Sequence, residues 1–255
     1  KNNIKNVAIS NLTSLIEINL NFNKISLIKN ASFKNLPNLN SVFLQYVELS
    51  FIEINAFEGV NLKFLSLTGN RLKDLTFLNK LLSLERLDIV NNLLEHLEQK
   101  FFSQLVNLVS ISFGNNKISH IQDHTFVNLT NLTRLLITDE QINDLNKEIF
   151  KGLNSLNELK LDFNHLTIIK NQTFLYLTKL DKLFISNNKI KIIETKAFEN
   201  LSKLRILSLN NNFLEKLESG GFFYLDSLEY LFLSKNKIKY IERNAFQGPK
   251  FLSFL

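Results

Sequence analysis

Cysteine, methionine and tryptophan are absent from this chain of 255 residues, which has only two proline and seven glycine residues. Because there is no cysteine, no disulfide can close or cap the fold. The scarcity of Pro and Gly, with 45% hydrophobic and 21% charged residues, excludes low-complexity and disordered compositions. Lys, Asn, Glu or Asp interrupts every apolar stretch, so no segment is long enough to span a membrane. No signal peptide is recognisable, and the composition predicts an ordered, soluble protein.

Signatures of catalysis are also missing. We find no nucleophile beside an activating base, no glycine loop that would hold a phosphate, and no pair of acids placed for general acid and base chemistry. The sequence therefore predicts a protein that is not an enzyme, uses no cofactor or metal, and acts on no small-molecule substrate.

What the chain does contain is a repeat. A Leu-x-x-Leu/Ile/Val-x-Leu/Ile/Phe-x-x-Asn frame returns ten times, usually every 24 residues, beginning at Leu15, Leu39, Leu62, Leu84, Leu108, Leu132, Leu156, Leu180, Leu204 and Leu228. One such unit is too small to bury its own apolar face, so neighbouring units must stack and share a core. We predict a single solenoid over residues 1–255, with about ten full repeats and incomplete repeats at both ends. Without cysteine caps, those ends are expected to be covered by missing caps or to self-associate.

Within one repeat, alternation predicts a short strand whose Leu and Ile side chains point inward. The Asn that follows should supply its amide to backbone groups at the bend, and stacked strands should form one parallel sheet. A Phe recurs further on, as Phe33, Phe57, Phe102, Phe126, Phe150, Phe174, Phe198, Phe222 and Phe246. These rings should stack as a spine, and the return segments should be short helical, 3-10 or irregular turns.

The frame resembles the typical, 24-residue subclass of animal extracellular leucine-rich repeats, and the resemblance covers essentially the whole chain. This subclass includes Toll-like receptor ectodomains and many secreted invertebrate proteins. The resemblance implies an α/β solenoid of horseshoe shape, with the parallel sheet on the concave face and the irregular segments on the convex face. It also implies an extracellular glycoprotein, secreted or part of a cell-surface ectodomain, that binds a protein or glycan ligand. Any membrane attachment would lie outside this chain.

Three repeats depart from the frame. Val47 and Glu140 replace the expected Asn, and the short repeat from Leu62 to Leu84 has Leu78 in the spine region. Drift in a redundant array is the favoured explanation, and a binding site is the alternative.

The exposed strand positions are the candidate partner-binding surface. They contain an apolar pair near one end, a charged centre, and a larger apolar patch near the other end. The candidate residues are Phe43, Phe64, Arg86, Asp88, Arg134, Glu158, Lys160, Phe184, Ile206, Tyr230 and Phe232. The first hypothesis is a recognition module of the Toll-like or immune type. The alternative is a structural or adhesive protein that assembles, for example as a homodimer, through the apolar patches.

A net charge of +6 and a pI of about 9.3 raise polyanions as a second alternative. Basic residues follow the Asn column, at Lys24, Arg71, Lys117, Lys189 and Lys237. Acidic residues recur nearby, at Glu53, Glu98, Glu194, Glu218 and Glu242. We therefore expect a flank of paired charges, and a sulfated glycan or nucleic acid is not the favoured ligand.

Two further patterns need an interpretation. Six glycosylation sequons occur, at Asn11, Asn30, Asn128, Asn131, Asn171 and Asn200, and none lies at an exposed strand position. His96 and His120 share one phase in consecutive repeats, with Asp123 and His124 nearby, so a metal site or pH switch is conceivable. A chance grouping of surface histidines is the favoured interpretation of that cluster.

Overall fold

The computed structural model describes residues 2–255, so Lys1, the first residue of the predicted solenoid, lies outside the described residues. The chain divides into two compact units: unit 1 ends at Leu132, and unit 2 comprises Thr133–Leu255. Both units are stacks of short turns with in-register parallel strands, which confirms the predicted parallel solenoid within each. Their continuity as one solenoid over 1–255 stays a prediction.

Unit 1 contains eleven short strands and two 3-10 helices. The helices are Thr76–Lys80 and Gln99–Phe101. The strands, in chain order, are β1 Ile9–Ser10, β2 Glu17–Asn19, β3 Leu27–Ile28, β4 Phe33–Lys34, β5 Ser41–Phe43, β6 Phe51–Ile52, β7 Phe64–Ser66, β8 Arg86–Asp88, β9 His96–Leu97, β10 Ser110–Ser112 and β11 His120–Ile121.

Unit 2 has the same kinds of element, with nine short strands and the 3-10 helix Lys147–Phe150. The strands are β12 Arg134–Leu136, β13 Glu158–Lys160, β14 Ile168–Ile169, β15 Lys182–Phe184, β16 Ile192–Ile193, β17 Ile206–Ser208, β18 Lys216–Leu217, β19 Tyr230–Phe232 and β20 Tyr240–Ile241. Over residues 2–255, no helix is both long and apolar enough to cross a membrane.

The three-residue strands follow directly from the alternation in the sequence. Each places its middle residue inside, such as Leu87 in β8 and Leu159 in β13, while the residues on either side face outward. Neighbouring strands pair in parallel with equivalent positions opposite each other, so Ser41 faces Phe64 and Lys182 faces Ile206. This register lines up identical repeat positions in columns on the surface.

The asparagine column is a hydrogen-bond ladder, as predicted. The Asn188 Nδ2 donates to the carbonyls of Leu161 and Ile185, at 3.0 and 3.2 Å, and its Oδ1 accepts from the Leu166 N–H at 3.0 Å. Asn212 repeats the arrangement one turn later. The ladder satisfies backbone groups that the bend would otherwise bury without partners.

The predicted phenylalanine spine is also confirmed. In unit 2, Phe174, Phe198 and Phe222 stack with ring centres 6.2 Å apart and nearly parallel planes. In unit 1, Phe33 and Phe57 stack at 4.9 Å. These rings are buried, so they form the interior of each unit and are not available to a ligand.

The residues that depart from the repeat frame are buried in the core. Val47 is buried, and the Asn70 Oδ1 of the next turn accepts its N–H at 3.2 Å. Glu140 is buried at its position in the asparagine column. In the short repeat, the 3-10 helix Thr76–Lys80 buries both Phe77 and Leu78, which together fill the space of the missing spine ring.

Candidate functional site

The strand face is the surface made by the outward first and third residues of the three-residue strands. The strand backbone is hydrogen-bonded to the neighbouring strands, and the middle residue of each strand is buried in the core, so the fold does not depend on the outward side chains. The identity of the outward residues is therefore free to vary without loss of the core. All eleven sequence-predicted partner-binding residues lie at these outward positions.

In unit 1, the predicted apolar pair is brought together. The Phe43 and Phe64 rings meet edge to face with centres 5.2 Å apart, and both remain half-exposed. The Arg86 guanidinium lies 5.6 Å from the centre of the Phe64 ring. Asp88, the third residue of the same strand as Arg86, is half-buried. The arrangement offers an aromatic edge with a cation held beside it.

In unit 2, the charged residues pair with one another. Glu158 lies between two cations, 3.5 Å from the Arg134 Nε and 3.4 Å from the Lys160 Nζ. The Lys160 ammonium is also 5.1 Å from the centre of the Phe184 ring. Glu158 therefore balances one of the two positive charges, and a net positive charge remains beside the Phe184 ring.

The second apolar patch consists of Phe184, Ile206, Tyr230 and Phe232. Ile206 lies opposite Tyr230 in the sheet, while Phe184 and Phe232 lie on either side of Ser208 in one column. Tyr230 is 39% exposed, and the other three are half-buried. The Phe254 ring adjoins the patch, 5.3 Å from the Phe232 ring. The patch is thus a group of apolar side chains around Ser208, with a phenol hydroxyl at one side.

The pKa of one acidic residue beside this patch, Asp162, is shifted. Burial raises the pKa of Asp162 above its ordinary value, and the Ser186 N–H and Lys160 partly oppose that effect. The Asp162 Oδ1 accepts the Ser186 N–H at 2.7 Å, and the Ser186 hydroxyl is 2.7 Å from the Ser208 hydroxyl. These hydrogen bonds hold Asp162, Ser186 and Ser208 in place beside Phe184.

A column of left-handed backbone was not predicted from the sequence. The residue before each ladder position has a positive φ, and most are the types that tolerate it, such as Gly69, Asn187 and Asn211. Phe22, Tyr46, Phe163 and Lys235 are exceptions, with φ of 58°, 52°, 57° and 58°. A bulky residue in this region is an outlier, and such outliers concentrate at functional sites. The signal in the sequence was an aromatic residue in a column whose other members are four Asn, one Gly, one Asp and one Lys.

These aromatic side chains are exposed beside the ladder, on a surface that we call the flank. In unit 1, the Phe22 and Tyr46 rings stack with centres 5.4 Å apart, and the Tyr46 ring lies over Gly69, where a Cβ atom would not fit. In unit 2, Phe163 and Phe213 are 53% and 37% exposed. The flank therefore adds aromatic surface to the basic residues noted in the sequence.

The predicted charge pairing on the flank is wrong for most of those basic residues. Over residues 2–255, no ion pair involves Lys24, Lys117, Lys189 or Lys237, whereas Arg71 is 3.4 Å from Glu48. The nearby acids are engaged elsewhere because the turns of the preceding repeat need acceptors. The carboxylates of Glu53, Glu194 and Glu242 accept the N–H groups of Asn30, Asn171 and Ser219, at 2.6–2.7 Å. Glu98 pairs with Lys100 at 2.9 Å.

All six sequon asparagines are exposed. The Nδ2 groups of Asn128, Asn131 and Asn200 donate to backbone carbonyls of the preceding turn. In contrast, Asn30 and Asn171 use the Oδ1 as an acceptor for the N–H 25 residues later. The glycosylation of any of the six stays a prediction.

The histidine cluster has the predicted register but no metal geometry. His96 lies opposite His120 in a two-stranded pairing, and the His96 Nε2 is 3.6 Å from Glu98. Among residues 2–255, no group of three or more His, Cys, Asp or Glu side chains is arranged to hold a metal ion.

Comparison with known proteins supports the repeat assignment. A family profile described as leucine rich repeat matches residues 11–72, 83–142, 130–190, 154–212 and 202–255. A search of curated proteins found no match.

Several solved structures are similar to the chain. A structure of the Toll–Spatzle complex from Drosophila has a TM-score of 0.88 at 22% identity, over 94% of this chain and 32% of that chain. A glycosylated form of that complex has a TM-score of 0.73 at 19% identity, over 89% and 36%. A TLR13–ssRNA13 complex has a TM-score of 0.54 at 22% identity, over 93% and 48%. The chain spans less than half the length of each of these solved chains, and the likeness shows a shared fold.

Proposed function

Since the chain belongs to the leucine-rich repeat family, we propose that it is a non-enzymatic extracellular recognition module that binds a protein ligand on its strand face. The observation that carries the proposal is the second apolar patch. Its aromatic side chains are half-buried or exposed on paired strands next to the paired charges around Glu158. Binding hot spots combine these features: buried aromatic anchors, a polar surround, and little reorganisation on binding.

The extracellular location rests on two supports. The similar solved chains are Toll and TLR13 in complexes whose described partners are Spatzle and ssRNA13. The six sequons are exposed and lie outside the strand face, so attached glycans would leave that face open. Secretion from animal cells, followed by mass spectrometry of the sequon peptides, tests this location. Absence of glycan at all six asparagines would contradict the glycoprotein assignment.

The recognition role is tested by screening the purified chain against a panel of secreted proteins and ectodomains. Phe232→Lys should weaken a ligand found with the wild type by about 30-fold or more, because it removes a central aromatic anchor and adds a charge. Phe223→Lys is the matched control, since Phe223 is exposed but lies outside the strand face. A ligand that tolerates Phe232→Lys, or that is lost equally with Phe223→Lys, does not bind as proposed.

Self-assembly is the second candidate, and the same patch favours it. The Phe254 N–H donates to the Glu229 carbonyl and its carbonyl accepts from Leu231, so a further strand has begun to pair beside Tyr230. Light scattering over a wide concentration range distinguishes the candidates. A dimer that Phe232→Lys dissociates supports assembly, whereas a strict monomer at high concentration refutes it.

A further inference from the structure

The flank of unit 2 contains a shallow groove of about 390 Å³ that is separate from the strand face. The ladder residues Asn164 and Asn188 form its floor. Its exposed lining is formed by Phe163, His165, Asn187, Lys189, Asn211 and Phe213. We propose that this flank groove binds an acidic oligosaccharide, a sugar chain with carboxylate or sulfate groups on alternate residues. The proposal is independent of the protein ligand proposed for the strand face.

The groove has an aromatic ring at two diagonal corners. Phe163 stands before the ladder position in one turn, and Phe213 stands after it two turns later. At a strand spacing of about 4.8 Å, two turns separate them by roughly 10 Å. Phe163 keeps this place although its backbone is left-handed, where the preceding turn has Asp139 and the following turn has Asn187. The side chain is half in solvent, so core packing does not account for it.

Lys189 is the charged residue of the groove lining, and the residues that flank the ladder on the Phe213 side are also positive, whereas the exposed Asp139 lies in the turn before Phe163. Lys189 lies in the turn between the two rings, and Lys235 and Lys237 follow in the turn after Phe213. The Lys237 ammonium is 4.5 Å from the centre of the Phe213 ring. Neither Lys189 nor Lys237 has an ion pair among residues 2–255. The ligand that complements this surface carries negative charge.

Amide groups fill the positions between rings and cations. The Asn211 Nδ2 donates to the Asn187 Oδ1 at 2.6 Å, which holds the two amides in a row. The backbone N–H groups of both residues already donate to the next turn, at 2.9 and 2.8 Å. Recognition here must therefore use side chains. Amides suit the hydroxyl groups of a sugar, and the flat rings suit its apolar face.

The order of the charges separates a sugar chain from a nucleic acid strand. A single strand carries a phosphate on every nucleotide and calls for cations in successive turns. Here a neutral turn, with Asn211 and Phe213, separates Lys189 from Lys235 and Lys237. Alternate cations match a chain in which every second sugar is acidic. An extended acidic peptide is disfavoured because the N–H groups of Asn187 and Asn211 already donate to the next turn and cannot pair with its main chain.

Isothermal titration of the whole chain with a hyaluronan octasaccharide, in which every second sugar carries a carboxylate, tests the proposal. Affinity should fall with salt, and Lys189→Gln or Lys237→Gln should each lower the slope of log affinity against log salt by about one. Phe163→Asn should weaken binding by about tenfold without lowering the melting temperature. The matched controls are Lys203→Gln, an exposed lysine away from the groove, and Phe22→Asn, the equivalent column position in unit 1. Both should bind almost as the wild type does.

Four results would overturn the assignment. They are no binding of the octasaccharide, equal binding of a neutral octasaccharide, tighter binding of an oligothymidylate of the same length, and unchanged affinity of folded Phe163→Asn. Phe232→Lys should leave the octasaccharide affinity unchanged. Failure of this proposal is therefore distinguishable from failure of the strand-face proposal, which Phe232→Lys alone addresses.

Discussion

Replacing Asn188 with alanine should test how the ladder contributes to stability. Its side chain is buried and bonds to backbone groups of two successive turns. The two carbonyls that it contacts do not depend on it alone. Leu161 also accepts from Asn164 at 3.1 Å, and Ile185 also accepts from Asn212 at 3.0 Å. After the substitution, each carbonyl therefore keeps one donor.

The Leu166 N–H depends on Asn188 more strongly than the two carbonyls do. Asn188 Oδ1 is its acceptor, at 3.0 Å, and Leu166 is buried. Loss of that acceptor leaves a buried donor unsatisfied, at a cost of about 1–3 kcal/mol. The loss of the second donor to each carbonyl adds little, since each keeps a partner. We therefore expect the free energy of unfolding to fall by about 1–3 kcal/mol.

Urea denaturation followed by circular dichroism measures the change. The midpoint should move to lower urea with the slope unchanged, because the folded core is the same. Asn157→Ala is the control: Asn157 is exposed, and its substitution should alter stability by no more than about 0.5 kcal/mol. If Asn188→Ala behaves like Asn157→Ala, the ladder is not what satisfies the bend, and the account of the asparagine column is wrong.

Three further substitutions test other parts of the structure. Phe198→Ala removes a ring stacked between Phe174 and Phe222 and should cost about 3–5 kcal/mol in urea denaturation; a loss below 1 kcal/mol would contradict a packed spine. Phe163→Asn should raise the melting temperature, since a left-handed backbone costs a bulky residue about 1–2 kcal/mol and Asn tolerates it; a lower value would show that the ring stabilises the fold. Burial raises the pKa of Asp162, so this group stabilises the fold most below its ordinary value of 3.8, and that contribution is lost as pH rises through the raised pKa. Asp162→Asn should therefore gain stability relative to the wild type between pH 3 and pH 7, and an equal difference at both would refute the assignment.

The regular part of the fold was predictable because it repeats. Stacked turns force equivalent residues into register, so the spacing alone placed Phe43 beside Phe64 and aligned Ile206 with Tyr230. The asparagine ladder followed from the need of a bend for donors and acceptors. These predictions depend on which positions recur, and recurrence is visible in a sequence.

The flank was not predictable in the same way. Lys and Glu recur close together in the sequence, but the sequence does not show whether a Glu carboxylate accepts a hydrogen bond from a lysine or from a backbone N–H. Turn N–H groups, such as that of Asn171, take the Glu194 carboxylate at short distance. Lys189 is consequently left without an acidic partner among the described residues. The left-handed column could be recognised only from backbone angles, although Phe163 among asparagines was a visible anomaly.

The strand face and the flank of unit 2 differ in the charge and polarity that they present to a ligand. On the strand face, Glu158 pairs with both Arg134 and Lys160 and balances one of their two charges, so a partner meets apolar side chains beside a net positive charge. On the flank, Lys189 and Lys237 have no ion pair among residues 2–255, so a partner that carries negative groups complements them. Phe184 and Asn187 are only three residues apart, yet the turn directs them to different surfaces. Two ligands of unlike chemistry could therefore bind one repeat unit, and substitutions on one surface can be made without disturbing the other.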